Sequence, residues 1–329
     1  MAAVAILGPG GVGGFVAAAL WRAGCATTVV AREPTAELIA RSGLEVDSTA
    51  LDARFTARPD AVSRLCAPVR FLLVATKAGG LTAALERVES DPELVVPLLN
   101  GVEHMAALRA RFGEQRVVAG VIRIESDRPA PGRIVQRSPG ARIDLASNLA
   151  SNLASNLAAN LASNLGVGPA AADHAAAELA TILRGAGITV RIGDDERQVL
   201  WSKLARLNAL ALTTSAADRP LGVLRDDPRW RSALEGAVNE TVAVANAAGA
   251  ALRAADTLAE LEGAHPELGS SMQRDIAAGR EPELDALAGA VLRAGAAHGL
   301  RCPTVTWLAE RVAARAGLDW VAPRPTAGV

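Results

Sequence analysis

A glycine-rich turn held between two short apolar runs restricts this sequence more than anything else in it. Val4-Ala5-Ile6-Leu7 leads into Gly8-Pro9-Gly10-Gly11-Val12-Gly13-Gly14, a helical pattern follows, and a second apolar run from Thr27 to Ala31 ends on Arg32. Glycines 8, 10 and 13 make GxGxxG, with the strand before and the helix after that a dinucleotide-binding βαβ unit requires. Gly8 allows the tight turn, Gly10 lets backbone N–H groups approach a pyrophosphate, and Gly13 lets helix and strand pack closely. With Pro9, Gly11 and Val12 between them, these residues are the candidate cofactor cradle. The helix N-terminus adds its partial positive charge.

Arg32 bears on which dinucleotide. It lies nineteen positions past Gly13, at the tip of the second strand, where an NAD-binding chain usually carries an acid for the ribose 2′-hydroxyl. A permanently charged guanidinium at that tip suits a 2′-phosphate, so NADP(H) is the expected cofactor. The competing reading makes Glu33 the ribose acid and leaves Arg32 as a solvated charge.

Bulk properties exclude several classes. With 329 residues the chain has length for two domains and an ample core. Its net charge of −1 supplies no basic field for nucleic acid or an anionic membrane. No apolar run approaches the ~18 residues of a membrane span. The N-terminus enters a strand with no basic region or cleavage site, which does not read as a signal peptide. Cys25, Cys66 and Cys302 are widely spaced and odd in number, arguing against a disulfide framework and for a reducing, cytoplasmic location. There is no Tyr, so a Tyr/Lys acid pair is excluded. His104, His174, His265 and His298 form no HxxH pattern and there is no CxxC, so no metal site is expected. Lysine is the leading type of proton donor.

Apolar strand-like runs at Val4–Leu7, Thr27–Ala31, Phe71–Ala75, Leu94–Leu98 and Val117–Ile124 alternate with helical or loop segments. This spacing predicts an α/β fold with a parallel, doubly wound sheet. Ligands bind beyond the carboxyl ends of such strands, which draws attention to Lys77 and Asn100. Position alone leaves each with an ordinary reading too: Lys77 as a solvated strand end, Asn100-Gly101 as a turn. Ile134–Leu145 resembles a strand or hairpin arm, and Thr189–Ile192 a last short strand. From 195 onward the chain reads as helical, with a period near 3.6. The expected domains are therefore 1–194 and 195–329. Between Ala146 and Leu165, Ser-Asn-Leu-Ala recurs every four residues, a low-complexity insertion without a chemical role. As a helix its leucines would form a slanted stripe, but Ser and Asn are mediocre helix formers, so a surface loop is as good a reading.

In the helical half, Trp201-Ser202-Lys203-Leu204 opens an amphipathic segment that continues to Asn208. Lys203 and Asn208 would diverge by roughly 140° on a helix. Taken alone, Lys203 reads as a solvated helix charge. Ser270-Ser271 precedes a further helix as capping-type residues. Glu283 and Asp285 follow Pro282, which is placed to start another.

Taken together in order, ILGPGGVGG at the start, Arg32, ATK at 75–77, LNG at 99–101, WSKL at 201–204 and SSMQRDIAAGREPELDALAG at 270–289 resemble the ketopantoate reductase (2-dehydropantoate 2-reductase) family over essentially the whole chain. The resemblance implies an N-terminal Rossmann-type domain, a C-terminal all-helical domain and an active site in the cleft between them. It further implies pyrophosphate binding by the glycine loop and 2′-phosphate binding by Arg32. Lys77 would lie beside the cofactor and Asn100 near nicotinamide and substrate. Lys203 matches the catalytic lysine, Ser271 a substrate-binding serine, and Glu283 the acid completing the site, close to both substrate and cofactor.

One departure stands out: the fourth and eighth positions after that lysine, asparagine in the common pattern, are Leu207 and Ala211, and Asn208 sits one step later as a candidate substitute. The implied activity is NADPH-dependent reduction of 2-dehydropantoate to (R)-pantoate. The alternatives are a reductase of another small 2-keto acid, or a catalytically silent NADP(H)-binding sensor. The partner expected is thus a small-molecule 2-keto acid. An Ala-rich helical domain is compatible with a homodimer, although no heptad seam specifies one.

Overall fold

In the computed structural model the described residues are 4–146, 169–193 and 195–323. The Ser-Asn-Leu-Ala repeat beyond Ala146 lies outside them, as does Asp194 at the expected domain boundary. The contacts divide the chain into two units, one within Met1–Leu99 and His104–Val199, the other within Asn100–Glu103 and Leu200–Val329.

Seven strands open the first unit: β1 (Val4–Leu7), β2 (Thr27–Val30), β3 (Leu44–Ser48), β4 (Ala53–Ala57), β5 (Asp60–Val62), β6 (Phe71–Val74) and β7 (Leu94–Pro97). Strands β1, β6 and β7 are apolar and buried at every position, as interior strands of a parallel sheet should be. They build a five-stranded sheet in the order β5-β2-β1-β6-β7, with every pairing parallel. The order reverses between β1 and β6, so the carboxyl ends of these two strands flank the switch point where ligands bind in this architecture. Helices α1 (Gly11–Arg22), α2 (Glu33–Ser42), α3 (Leu81–Leu85) and α4 (His104–Phe112) connect or follow the strands.

Smaller sheets account for sequence runs that periodicity did not resolve. The expected strand at 117–124 shortens to β8 (Gly120–Arg123), and Val117 makes only an isolated bridge to Val95. The run 134–145 splits into β10 (Arg133–Gln136) and β11 (Arg142–Leu145), with β9 (Ser126–Ala130) before them. Ser138-Pro139-Gly140 breaks that run, and its halves join different sheets, β4-β3-β10-β9 and β12-β11-β8, where β12 is Thr189–Ile192. Helix α5 (Pro169–Gly185) precedes β12.

The second unit is helical. Helix α6 (Glu196–Ala217) leads into it, followed by α7 (Leu221–Asp226), α8 (Pro228–Ala247), α9 (Ala254–Glu262) and α10 (Ser271–Ala277). A π-helical turn at Asp285–Gly289 then runs into α11 (Ala290–Ala297), and α12 (Pro303–Ala316) follows. Leu204, Ala205, Leu212, Val238, Val291, Val305, Leu308 and Val312 form its buried centre. Local signals set the breaks: the Asp227 carboxylate accepts from the N–H groups of Arg229 and Trp230, and Pro228 takes the first helical position. No helix among the described residues is long and apolar enough to cross a membrane.

Candidate active site

In the first unit, backbone rather than side chains shapes the candidate site. Gly8 adopts φ +94°, in the region that favours glycine, and its N–H donates to the Val30 carbonyl at 3.0 Å. The chain then turns tightly enough for the Gly10 N–H to donate to Gly8 O at 2.9 Å. A Cβ on Gly13 would lie 2.2 Å from that Gly8 oxygen and 3.0 Å from the Ala75 Cβ. Helix α1 therefore packs onto the ends of β1 and β6 only because position 13 has no side chain. A Cβ on Gly10 would meet nothing within 4 Å. Open space at Gly10 and first-turn amides without intrahelical acceptors fit an anionic pyrophosphate. Ser126 on β9 donates its hydroxyl to Gly11 O at 2.8 Å and steadies the loop.

Arg32 is exposed just past β2, where its carbonyl accepts from Thr35 and Ala36 at the start of α2. Its guanidinium has no hydrogen bond or ion pair among the described residues, so it is available to an external anion. Glu33 begins α2 and is also exposed. Thr76 and Lys77 follow β6, at the switch point. A Cβ on Gly8 would lie 2.9 Å from the Thr76 Cγ2, so the two strand ends are in contact. Lys77 is exposed and caps a short 3-10 turn at Ala78–Gly80.

The helical unit brings together residues far apart in sequence. Asn100 donates from Nδ2 to Glu283 Oε2 at 2.9 Å across 183 positions. Both are half-buried, and the amide retains a second N–H and its oxygen for another partner. Lys203 is half-buried on α6 in the same unit. Leu207, one turn on and about 40° round the helix, shares its face and is half-buried too. Asn208 does not join them. It is fully buried and donates from Nδ2 to Thr241 Oγ1 at 3.0 Å, tying α6 to α8. The roughly 140° divergence from Lys203 turns it off the lysine's face and into the core of the unit. The two serines also separate. Ser270 is the buried N-cap of α10, accepting from the Gln273 N–H at 3.1 Å and from the Thr214 hydroxyl at 2.9 Å. Ser271 is exposed at the first helical position.

Of three charged residues near this pair in sequence or by contact, Asp285 stands in the run after Pro282, whereas Glu103 and Arg293 escaped sequence reading. Arg293 on α11 donates to Glu103 at 2.8 and 2.7 Å and to the Asp285 carboxylate at 2.8 and 3.0 Å. Hydrogen bonds donated to Glu103 first and to Asp285 second hold the guanidinium further toward its protonated form. Pro282 also does not open a helix directly: the turn begins at Leu284 and is π-helical from Asp285. Among the described residues no cluster of His, Cys, Asp and Glu has the makings of a metal site.

A parallel sheet with a glycine turn at its switch point, followed by a helical unit carrying a lysine and a paired carboxylate, defines a Rossmann-type α/β-plus-helical class. Within that class the relatives agree. The family model described as "Ketopantoate reductase PanE/ApbA" matches residues 4–147, and its C-terminal counterpart matches 195–316. A 2-dehydropantoate 2-reductase of Caulobacter vibrioides is 31% identical over 312 residues, covering 92% of this chain and 95% of its own. One from Mycobacterium tuberculosis is 30% identical over 320 residues, with 94% and 97% covered. The chain belongs to the ketopantoate reductase family.

Solved structures carry the same fold. A PanE/ApbA family ketopantoate reductase from Ralstonia eutropha superposes with a TM-score of 0.78 at 25% identity, covering 96% of this chain and 98% of that one. A D-mandelate dehydrogenase solved with NADH and anilino(oxo)acetate reaches 0.82 at 21% identity, with 96% and 98% covered.

Proposed function

We propose that this protein reduces 2-dehydropantoate to (R)-pantoate with NADPH, a step toward pantothenate and coenzyme A. The observation that carries the proposal is the Asn100–Glu283 hydrogen bond, formed in the unit that also holds Lys203 and Ser271. A chain that only sensed a dinucleotide would have no use for a proton donor and a paired carboxylate.

When bound, the cofactor supplies a hydride to the keto carbon. In this reading the glycine loop binds its pyrophosphate, Arg32 its 2′-phosphate, and Lys77 lies beside it. As the hydride arrives, the carbonyl π pair moves onto oxygen and an alkoxide develops. Lys203 Nζ donates a hydrogen bond to that oxygen, stabilises the growing charge and delivers the proton. Ser271 and the free N–H of Asn100 hold the substrate carboxylate or hydroxyl, which fixes the carbonyl for attack. Glu283 orients the Asn100 amide and completes the site.

A second reading, a small 2-keto acid with a less polar side chain, draws on Leu207. It occupies the same helical face as Lys203, half-buried against the unit's apolar core, where the common family pattern carries a polar asparagine. Following NADPH absorbance against a panel of 2-keto acids tests both. Highest kcat/KM for ketopantoate supports the first reading, and a higher value for its analogue lacking the hydroxyl selects the second. No oxidation with any member overturns both.

A further inference from the structure

Arg293 joins the two short segments that carry Asn100 and Glu283. Glu103 is three residues past Asn100, and Asp285 is two past Glu283. One guanidinium spans both carboxylates, forking onto the two oxygens of Glu103 while also reaching both Asp285 oxygens. Bidentate pairing of this kind fixes direction as well as distance.

The backbone is built to permit the arrangement. Gly101 sits at φ +83°, and a Cβ there would lie 2.5 Å from the Ala286 carbonyl oxygen, so the loop rests directly on the π turn. A Cβ on Gly289 would lie 2.3 Å from Asp285 Oδ1 and 3.0 Å from Arg293 Nη1. Position 289 must therefore lack a side chain for Asp285 to fold back onto Arg293. Residues eight apart diverge by about 80° on a regular α-helix, but the extra residue of a π turn makes the spacing behave like seven, about two full turns.

As a source of stability the cluster would be modest, because its side chains are 37–67% exposed and such pairs are screened by water. Its consequence is geometric. We propose that Arg293 is a positioning residue for the Asn100–Glu283 pair, holding the 100–103 loop against the π turn so that amide and carboxylate stay in register. This rests on the proposed roles of Asn100 and Glu283 in the substrate site.

A double-mutant cycle in the full chain tests it. Arg293→Met should lower kcat about ten- to a hundredfold, since misplacement by about 1 Å can cost a hundredfold. Its dissociation constant for NADPH should stay within about twofold of wild type, and Arg293→Lys should recover part of the loss. In a Glu283→Gln background Arg293→Met should add less than about threefold, because the group it positions has already been altered. Unchanged kcat in Arg293→Met, or losses that multiply independently, overturns the proposal. If Arg293→Met does not fold, Glu103→Leu keeps the test open: it removes both acceptors of one arm of the clamp and should lower kcat several-fold, and an unchanged kcat overturns the proposal. Amide hydrogen exchange separates this proposal from the functional reading. Should wild type oxidise NADPH with no keto acid, that reading fails, while faster exchange at Gly101–Glu103 in Arg293→Met still supports the clamp and unchanged exchange overturns it.

Discussion

The two units build their share of the chemistry in different materials. In the first, the candidate site is backbone: a positive-φ glycine, a helix start and an open face at Gly10, with one exposed arginine at the rim. In the second it is side chains held by other side chains, with Asn100 on Glu283, and Glu103 and Asp285 on Arg293. A backbone cradle tolerates little change at its glycines and almost any change elsewhere. A side-chain constellation depends on partners that are distant in sequence and individually replaceable. That contrast predicts which substitutions destroy folding and which destroy only turnover.

The sharpest division should come from Lys203→Ala. Its turnover is expected to fall about 10²- to 10⁴-fold, the range of a general acid, while NADPH titration gives a nearly unchanged dissociation constant. Near-native turnover would remove the helical unit's claim to the proton. Next is Arg32→Gln, which should weaken NADPH binding about 10- to 100-fold and leave NADH binding alone, in line with losing a charge-assisted hydrogen bond. Equal effects on both cofactors would leave Glu33 as the ribose ligand.

Within the cradle, Gly13→Ala should destabilise the cofactor-free protein by about 1–3 kcal/mol, because its Cβ has no room. Gly10→Ala should leave the melting temperature nearly unchanged and act only on cofactor affinity. Equal melting shifts in the two variants would contradict the backbone account. The smallest effect separates the serines. Ser270→Ala should cost about 1 kcal/mol of stability through its lost cap. Ser271→Ala should raise the KM for the keto acid without moving the melting temperature.

The same contrast explains what was legible. Gly8, Gly10 and Gly13 could be read because a backbone cradle needs them at fixed spacing within one turn. The buried strands at 4–7, 71–74 and 94–97 could be read because both faces of a parallel sheet are apolar. Strand β3 alternates buried and exposed positions with charged residues among them, and it escaped because five residues give a weak period. Lys203 carried no distinguishing local signal, and only the resemblance of WSKL drew attention to it. Asn208 shows how little proximity in sequence says about proximity on a helix: five residues from Lys203, it is turned by α6 into the core. Arg293 had no readable signal, since eight residues from Asp285 is the wrong spacing until a π turn is inserted between them.

The chain enters the helical unit twice, first for the four residues Asn100–Glu103 and then from Leu200 onward. On the ribosome this imposes an order of assembly. The short segment emerges flanked by Leu99 and His104, both committed to the first unit, while its hydrogen-bond partner Glu283 is still 183 residues from being made. At typical synthesis speeds that is a wait of roughly 10–40 s. A nascent sheet can close around its glycine turn during the interval, but the Asn100 amide has no carboxylate to meet until the segment carrying Glu283 has been made.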